Sequence, residues 1–239
     1  MPAISVLMPV WNGVRNGNDH FLRMAVESII NQTFEDWEFI IVDDGSTDNT
    51  QAVLKSYRDA RIRIIKQPAN GGIVSALNRG LAECAAPLVA RQDADDISTV
   101  TRLDVQKKFL DDRPETVLCG TGMYVINEEG KLIMEICDRP CNYKVVRETL
   151  KSWCPIVHGS VMFRKDVMTK LGGYSPDPRF KHAEDYEMWV RMAKDHSIEN
   201  IPGTTLYFHR NHGSKISEVH KGQQQTATKV IADIAKGRL

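Results

Sequence analysis

The chain has 239 residues, of which 42% are hydrophobic and 26% are charged, a composition typical of a globular protein and not of a disordered one. Its 31 Lys and Arg residues balance its 31 Asp and Glu residues, so the overall charge gives no attraction to nucleic acid or to an anionic membrane. No apolar run reaches the roughly 18 residues that span a bilayer, and the first residues lack the charged start of a secretory signal.

The first half of the chain alternates strand and helix patterns. Predicted strands cover residues 3–10, 37–44, 62–67 and 87–93, and predicted helices cover residues 20–32, 47–59, 71–84 and 99–112. Several strands are nearly continuous apolar runs, as in a parallel sheet that is covered on both faces. The alternation predicts right-handed crossovers, a doubly wound layer, and ligands bound beyond the carboxyl ends of the strands.

The second half has a different pattern. It predicts a hairpin over 117–136 with its turn at 127–131, strands at 155–164 and 203–210, and helices at 142–153, 165–173, 184–196 and 219–237. No stretch rich in Pro, Gly or Ser separates the halves, so we expect one continuous body with a cleft between them.

The five cysteines are odd in number and scattered. Cys137 and Cys141 stand four residues apart, with no second cysteine pair to complete a zinc site. This usage favours reduced, structural thiols and predicts a cytoplasmic protein.

Three carboxylates, those of Asp93, Asp95 and Asp96, follow the fourth predicted strand in the stretch RQDADD. Two unit charges about 4 Å apart repel by roughly 4 kcal/mol at an effective dielectric of about 20, so the cluster needs solvent, a shared proton or a cation. One interpretation is a solvated loop in which Asp96 or Ser98 caps the next helix. The other is a D-x-D site, because alternate carboxylates of an extended segment can face one pocket and bind Mg²⁺ or Mn²⁺.

A second acidic pair, Asp43 and Asp44, ends the second predicted strand in the stretch IIVDDGSTDNT. These side chains either cap backbone N–H groups of the turn or accept hydrogen bonds from a base or a ribose. Two polar loops are further candidates. Asn70 and the glycines after it begin a predicted helix and could approach a ligand closely, and residues 207–217 predict a mobile flap carrying Arg210 and His212.

Glu184 and Asp185 lie in the first turn of a predicted helix, where acidic residues cap the helix or favour its dipole. Asp185 stands four residues before Trp189 and so leans toward the buried side, an orientation that suits a general base. His158 and His182 lack a metal-binding spacing, and we interpret them as hydrogen-bonded structural or pocket-wall groups.

Taken in order, these stretches resemble family 2 glycosyltransferases, the large inverting family with the GT-A fold. The matching stretches are SVLMPVWNG, SIINQTFEDWEFIIVDDGSTDNT, NGGIVSALNRGL, RQDADD, GSVMFRKDVMTKLGGY, HAEDYEMWVRMA and LYFHRNHGSKIS. They occur in family order across residues 3–217. The resemblance implies an α/β fold of the GT-A type: a Rossmann-like, mostly parallel sheet with helices on both faces, and a smaller mixed region on the acceptor side.

The resemblance also implies that different parts of the chain have different functions. Residues 1–115 would form the nucleotide-sugar-binding half, and residues 116–217 the half that binds the acceptor and carries the catalytic base. Residues 218–239 would form a C-terminal helix, for which packing on a twin subunit in a homodimer is one expectation.

The implied donor is a UDP-sugar bound along the ends of the first, second and fourth strands. The residues expected to contact it are Pro9, Trp11, Asn12, Asp44, Asn70, Asp93 and Arg210. Among them, Asp44 would hold the edge of the base, Asp93 would lie toward the ribose or the metal shell, and Arg210 would close on the diphosphate from the flap.

The remaining site residues are implied in the same way. Asp95 and His212 would hold Mn²⁺ or Mg²⁺, and His212 would also close on the diphosphate. Asp185 would be the catalytic base, with His158 and Glu184 on the acceptor side.

The implied reaction is metal-dependent transfer of a single sugar to an acceptor hydroxyl with inversion, in the biosynthesis of a polysaccharide or another surface glycan. A glycan or lipid-linked acceptor would bring the protein to the inner face of the plasma membrane as a peripheral protein. The absence of a Q-x-x-R-W stretch argues against a processive polymer synthase. The first loop, NGVRNGND, is a few residues longer than is usual in the family.

Two alternatives belong to other classes. A sugar nucleotidyltransferase also uses an α/β sheet, but it usually has a Gly-rich N-terminal loop with a basic residue, which PVWNGVRNG matches poorly. A catalytically silent module that binds a sugar nucleotide is the other. Release of UDP instead of pyrophosphate excludes the first, and donor hydrolysis with Mn²⁺ excludes the second.

Overall fold

A mixed sheet forms the centre of the protein in a computed structural model that describes residues 1–14, 17, 19–213 and 220–238. Its strands are β1 (Ile4–Val10), β2 (Trp37–Asp43), β3 (Ile62–Lys66), β4 (Leu88–Arg91), β5 (Ile97–Ser98), β6 (Thr116–Ile126), β7 (Leu132–Ile136), β8 (Met162–Arg164) and β9 (Ser197–Arg210). In space they follow the order β3-β2-β1-β4-β8-β6-β9-β5, with β7 paired to β6.

Helices cover both faces of this sheet. They are α1 (His20–Ile30), α2 (Thr50–Ser56), α3 (Ile73–Glu83), α4 (Arg102–Asp111), α5 (Tyr143–Thr149), α6 (Lys165–Lys170), α7 (Glu184–Met192) and α8 (Lys221–Ala235). Within the described ranges, none of them combines the length and apolar character needed to cross a bilayer.

The first four strands of the chain are parallel, as predicted. Alternate residues of β1 enter different cores because side chains of a strand point to opposite faces. Val6 packs with α1 and α4, whereas Leu7 packs with α3 and α7. This two-sided burial explains the near-continuous apolar runs in the sequence.

The rest of the sheet is mixed. Strand β8 is antiparallel to β4 and to β6, while β6 and β9 run parallel. The short β5 pairs antiparallel with β9. Strands from the second half of the chain are therefore bonded to strands from the first.

Two strand predictions were wrong in extent. Residues 155–164 do not form one strand, because a 3-10 turn at His158–Ser160 precedes β8. The turn brings Gly159 so close to its neighbours that an added Cβ would lie 2.2 Å from the Tyr207 hydroxyl and 2.7 Å from Asp93 Oδ2. Strand β9 begins at Ser197 and not at residue 203, and its early part carries register irregularities against β6.

The helix α8 packs on the chain's own α7 and on the 3-10 turn Pro178–Phe180. Ala227, Ile231 and Ala232 are its buried residues. The face of this helix that carries the core contacts is therefore used within one chain, and homodimerisation through it stays a prediction.

Candidate functional site

A cleft of about 870 Å³ opens at the carboxyl ends of β1, β2 and β4, where ligands of open α/β sheets bind. Its volume lies in the range of small-molecule sites. The cleft is lined by residues 9–13, 70–76, 93–95, 175–178 and 180–182, and by Phe21, Asp44, Asn78, Arg91, Glu184 and His220.

The first wall contains three residues predicted to contact the donor. Pro9, Trp11 and Asn12 all line the cleft. The indole of Trp11 is half exposed, at 53%, so it presents an aromatic face to a ligand. Asn12 has a positive φ of 48°, and its Oδ1 accepts a hydrogen bond from Thr47 N at 2.9 Å, which ties β1 to the turn after β2.

Asp44 braces the neighbouring loop. Its Oδ1 accepts hydrogen bonds from Gln67 Nε2 (2.6 Å) and Gly71 N (2.9 Å). Its Oδ2 accepts one from Gly72 N (2.9 Å). The carboxylate thus holds the loop that carries Asn70, and the contact to a base edge that the sequence predicts for Asp44 stays a prediction.

The acid cluster is divided among different partners. Asp93 Oδ1 lies 2.6 Å from Nη1 of Arg91, whose side chain is only 1% exposed. The backbone N of Asp93 donates to the Tyr207 hydroxyl at 3.1 Å. Burial raises the pKa of Asp93, but the positive charge of Arg91 and its neighbours outweighs burial and holds that pKa below its ordinary value.

Asp95 faces a histidine. Its Oδ2 lies 2.8 Å from Nε2 of His212, which is almost fully buried, while the Asp95 side chain is 31% exposed. Asp95 also lines the cleft. Asp95 thus presents a carboxylate to the part of the cleft lined by residues 93–95, which we call its floor, and the buried imidazole of His212 contacts it. The metal site that the sequence predicts here stays a prediction.

Asp96 does not cap the next helix, which corrects one interpretation of the sequence. Helix α4 has Thr101 at its N-cap and no side-chain cap. The buried Asp96 instead accepts hydrogen bonds from Arg210 N (2.7 Å) and His209 Nδ1 (3.1 Å). Burial raises the pKa of Asp96, although the His209 hydrogen bond opposes this. The residue joins the acid stretch to the end of β9.

Arg210 lies at the end of β9 and not in a loop. Its buried guanidinium donates to the carbonyls of Asp95, Asn127 and Glu128 at 3.1–3.2 Å. It also lies 4.4 Å above the ring centroid of Phe21. The structure therefore gives Arg210 a role in packing the strand end, and its predicted contact with a diphosphate stays a prediction. Residues 214–217 of the predicted flap lie outside the described residues.

The donor atoms near Asp95 fit a divalent cation in part. Carboxylate oxygen suits Mg²⁺ and Mn²⁺, and imidazole nitrogen favours Mn²⁺ over Mg²⁺. The described ranges contain no group of three His, Cys, Asp or Glu side chains placed to hold a metal. Asp95 and His212 would therefore supply two ligands, and diphosphate oxygens and water would supply the rest.

Another wall carries Glu184, the first residue of α7, which is followed by Asp185. Glu184 is buried, its Oε2 has no hydrogen-bond partner among the described residues, and it lines the cleft. Asp185 beside it is half-buried and is not one of the lining residues. Burial, with the charge of Asp185, raises the pKa of Glu184 to about 7, and burial raises the pKa of Asp185 to about 6.

His158 packs behind this wall. Its Nε2 lies 2.9 Å from the Tyr174 hydroxyl, and its ring meets Trp189 edge-on at 6.0 Å. Burial and the nearby Arg91 lower the pKa of His158 to about 3, so it is neutral at physiological pH. It does not line the cleft, and its predicted place on the acceptor side stays a prediction.

Several cleft residues did not enter the sequence prediction. Arg91, Lys181 and His220 line the cleft, as does His182, which was interpreted as a pocket-wall group. Only Arg91 carried a local signal, because it directly precedes the acid cluster. Lys181 and His220 are 39 residues apart in sequence and meet only through the packing of α8.

A Rossmann-like sheet with an acidic cleft at the ends of its parallel strands is the architecture of GT-A glycosyltransferases. The family described as "Glycosyl transferase family 2" matches residues 5–172, and the chain belongs to this family. It is 32% identical to EpsE of Bacillus subtilis over 81% of this chain and 68% of EpsE. It is 31% identical to the O-antigen biosynthesis glycosyltransferase WbnJ of Escherichia coli, over 82% of this chain and 73% of WbnJ.

Solved structures confirm the predicted fold. S. aureus TarS (residues 1–349, in complex with UDP-GlcNAc) superposes with a TM-score of 0.69 at 17% identity, over 89% of this chain and 59% of that one. The mannosyltransferase PcManGT from Pyrobaculum calidifontis, in complex with GDP-Man and Mn²⁺, gives a TM-score of 0.71 at 20% identity, over 100% of this chain and 65% of that one. The chain thus spans about three fifths of the length of both.

Proposed function

We propose that this glycosyltransferase moves a single sugar from a UDP-linked donor to an acceptor hydroxyl with inversion, in a metal-dependent reaction that builds a polysaccharide or another surface glycan. The observation that carries the proposal is the cleft itself. Asp95, which pairs with His212, and Glu184, which begins α7 together with Asp185, both line it. Such an arrangement can hold a leaving group on one side and an acceptor on the other.

Relatives support the substrate class. WbnJ is named for O-antigen biosynthesis. TarS holds UDP-GlcNAc, and PcManGT holds GDP-Man with Mn²⁺. These are properties of those proteins, and we carry to this chain the common element, a nucleoside diphosphate sugar.

The floor of the cleft would serve the leaving group. As the bond between the anomeric carbon and the diphosphate breaks, negative charge grows on the diphosphate oxygens. Asp95 and His212 would hold a divalent cation, which would supply Lewis-acid stabilisation of that charge when bound. Arg91 keeps Asp93 ionised through its contact at 2.6 Å, and Asp44 fixes the loop beside the donor through three hydrogen bonds.

The wall at the start of α7 would serve the acceptor. Asp185 takes the proton of the acceptor hydroxyl onto its carboxylate as that oxygen attacks the anomeric carbon from the side opposite the leaving group, which inverts the centre. A raised pKa near 6 suits this task, because the group is ionised at neutral pH and still basic. Glu184, whose Oε2 is buried and unpartnered among the described residues, would bind a hydroxyl of the acceptor.

We further propose a glycan or lipid-linked acceptor at the cytoplasmic face of the plasma membrane. A growing surface glycan presents hydroxyl groups there to a peripheral protein. Flotation of the tagged protein with inner-membrane vesicles, with and without high salt, measures this association.

The test of the reaction uses the purified chain with UDP-glucose, UDP-GlcNAc and GDP-mannose, each with Mn²⁺ and with EDTA. We expect Mn²⁺-dependent release of UDP. Release of pyrophosphate would identify a nucleotidyltransferase, and release of nothing from any donor would identify a binding module.

Two variants test the base. Asp185→Asn should lower turnover by roughly 10²–10⁴-fold, the usual contribution of general base catalysis, and leave donor affinity unchanged. Asp195→Asn, an exposed acid just after the same helix, is the matched control. Near-normal turnover of Asp185→Asn would refute the assignment.

A further inference from the structure

One rim of the cleft is built from a lysine and two histidines that no step above uses. Lys181, His182 and His220 all line the cleft. The first two precede α7, and His220 precedes α8. The packing of α8 on the 3-10 turn Pro178–Phe180 brings these distant parts of the chain together.

The acids near this rim do not neutralise it. Asp177 is engaged by Arg179, with 2.6 Å between Oδ2 and Nη2. Lys181 is exposed and forms no ion pair with any residue in the described ranges. Burial keeps Glu184 partly protonated near neutral pH because it raises the pKa of that carboxyl. The ammonium group of Lys181 therefore faces the cleft without a carboxylate partner among the described residues.

The two histidines form a fixed unit beside this lysine. Their rings stack with centroids 4.3 Å apart and an angle of 7° between planes. His182 Nε2 lies 3.1 Å from Gln223 Oε1, and Gln224 Nε2 donates to the His182 carbonyl at 3.0 Å. Two hydrogen bonds with the first turn of α8 thus hold the pair in place.

The environment of this unit favours an anion. Burial lowers the pKa of His182 because it disfavours the charged imidazolium, and repulsion by the nearby His220 and Lys181 lowers it further. A bound anion would reverse that repulsion. The N-terminal end of α8, whose N-cap His220 makes no side-chain cap, adds the positive end of a 15-residue helix dipole.

The rim lies beside the start of α7, the part of the cleft that the proposed function gives to the acceptor. Lys181 stands three residues before Glu184, so their Cα atoms are at most about 11 Å apart. An acceptor whose hydroxyl meets the acids of α7 would place its next substituent or sugar within reach of the lysine. The donor diphosphate, by contrast, is assigned to Asp95 and His212.

We propose that Lys181, His182 and His220 form a subsite for an anionic group of the acceptor, either the carboxylate of a uronic acid or a phosphate. The inference rests on the proposed function for the identity of the acceptor as a saccharide. The shared chemistry is an oxyanion that receives hydrogen bonds from an ammonium and an imidazole.

Binding of small probes tests the subsite without turnover. Methyl β-glucuronide, inorganic phosphate and the neutral methyl β-glucoside are titrated separately into the full chain, while the histidine ring resonances are followed by NMR. We expect the glucuronide or phosphate to bind and shift the resonances of His182 and His220, with the glucoside giving no comparable shift. Preference between the two anions identifies a carboxylate or a phosphate acceptor.

Variants make the result specific to the rim. Lys181→Ala and His220→Ala should each lower the affinity for the anion about tenfold, as expected for loss of a charged hydrogen bond. Lys194→Ala removes an exposed lysine away from the cleft and should change nothing. Affinity for UDP with Mn²⁺, measured in parallel, should stay constant in all three.

Four results would overturn the subsite: no anion binding, equal binding of the glucoside, unchanged anion affinity in the rim variants, or a matching loss of UDP affinity. The last would assign the rim to the donor diphosphate. Because donor hydrolysis is measured independently, failure of the subsite leaves the proposed function standing, and failure of donor hydrolysis leaves the anion titration interpretable.

Discussion

Replacing Glu184 by Gln should stabilise the protein at alkaline pH and do so much less at acidic pH. Glu184 is 6% exposed and its Oε2 has no hydrogen-bond partner among the described residues. Burial and the adjacent Asp185 raise its pKa from 4.5 to about 7. Ionising it in the folded protein is therefore harder than in the unfolded chain.

The sign and size follow from linkage. Below pH 4.5 the carboxyl is protonated in both states and costs nothing. As pH rises toward 7, the unfolded state loses its proton first, so the free energy of unfolding falls. The displacement of the pKa corresponds to roughly 3 kcal/mol in full, of which about 2–3 kcal/mol develops between pH 5 and pH 8. The amide introduced by Glu184→Gln does not titrate, so the variant avoids this loss.

Calorimetry at pH 5 and pH 8 measures the effect. For a chain of this size, about 1 kcal/mol shifts the melting temperature by roughly 2–4 °C. The melting temperature of Glu184→Gln relative to wild type should thus rise by roughly 5–10 °C more at pH 8 than at pH 5. An unmet hydrogen bond of the introduced amide would lower both values equally, so the difference between the two pH values isolates the ionisation.

Asp195→Asn, at an exposed position after α7, provides the baseline for loss of one carboxylate. A Glu184→Gln increment that is the same at both pH values would show that Glu184 does not titrate in the neutral range. The conclusion that burial raises the pKa of Glu184 would then be wrong.

Two further predictions concern the Asp95–His212 pair and the packing of Gly159. Asp95→Asn and His212→Ala should each reduce the thermal shift that Mn²⁺ gives together with UDP, because ligand binding stabilises the folded state by mass action; an undiminished shift in both would exclude this pair as the cation ligands. Gly159→Ala should destabilise the protein by about 1–3 kcal/mol through overpacking, since the new Cβ would meet the Tyr207 hydroxyl and Asp93 Oδ2. Urea unfolding would detect this, and a midpoint within error of wild type would contradict it.

The parallel half of the fold was predictable because its signals are local. The buried runs of β1 and β2 identify strands within about one residue of their observed bounds. Helix ends were less well predicted. The predicted helix over 47–59 begins only at Thr50, because the Asp48 carboxylate accepts hydrogen bonds from Thr50 N and Oγ1 and so shapes a turn before it.

The mixed half depends on contacts between residues far apart in sequence. Asp96 resembles a helix cap when its neighbours are considered, yet its partners are His209 and Arg210, more than 110 residues away. Strand β5 has only two residues and exists because β9 pairs with it. No local pattern encodes such a strand, and the same holds for the burial of Arg210.

The sequence predicted the cleft correctly at the strand ends, but it could not predict all the contacts that its residues make. The sequence indicates where Asp44 lies, since a turn follows the second strand. It does not indicate that the carboxylate is occupied by N–H groups of Gly71 and Gly72. Which acid of the Glu184–Asp185 pair lines the cleft also depends on the exact rotation of α7.

The position of β8 between β4 and β6, together with the pairing of β5 with β9, restricts how this enzyme can acquire new specificity. A recombination point near residue 115 would cut through one continuous hydrogen-bonded sheet, and a transplanted second half would have to rebuild strand pairs on both of its sides. Exchange of the entire first or second half of the chain between relatives is therefore disfavoured. The lining of the cleft is more readily altered by point changes in the loops above the sheet, such as residues 175–178, which leave the strand order untouched.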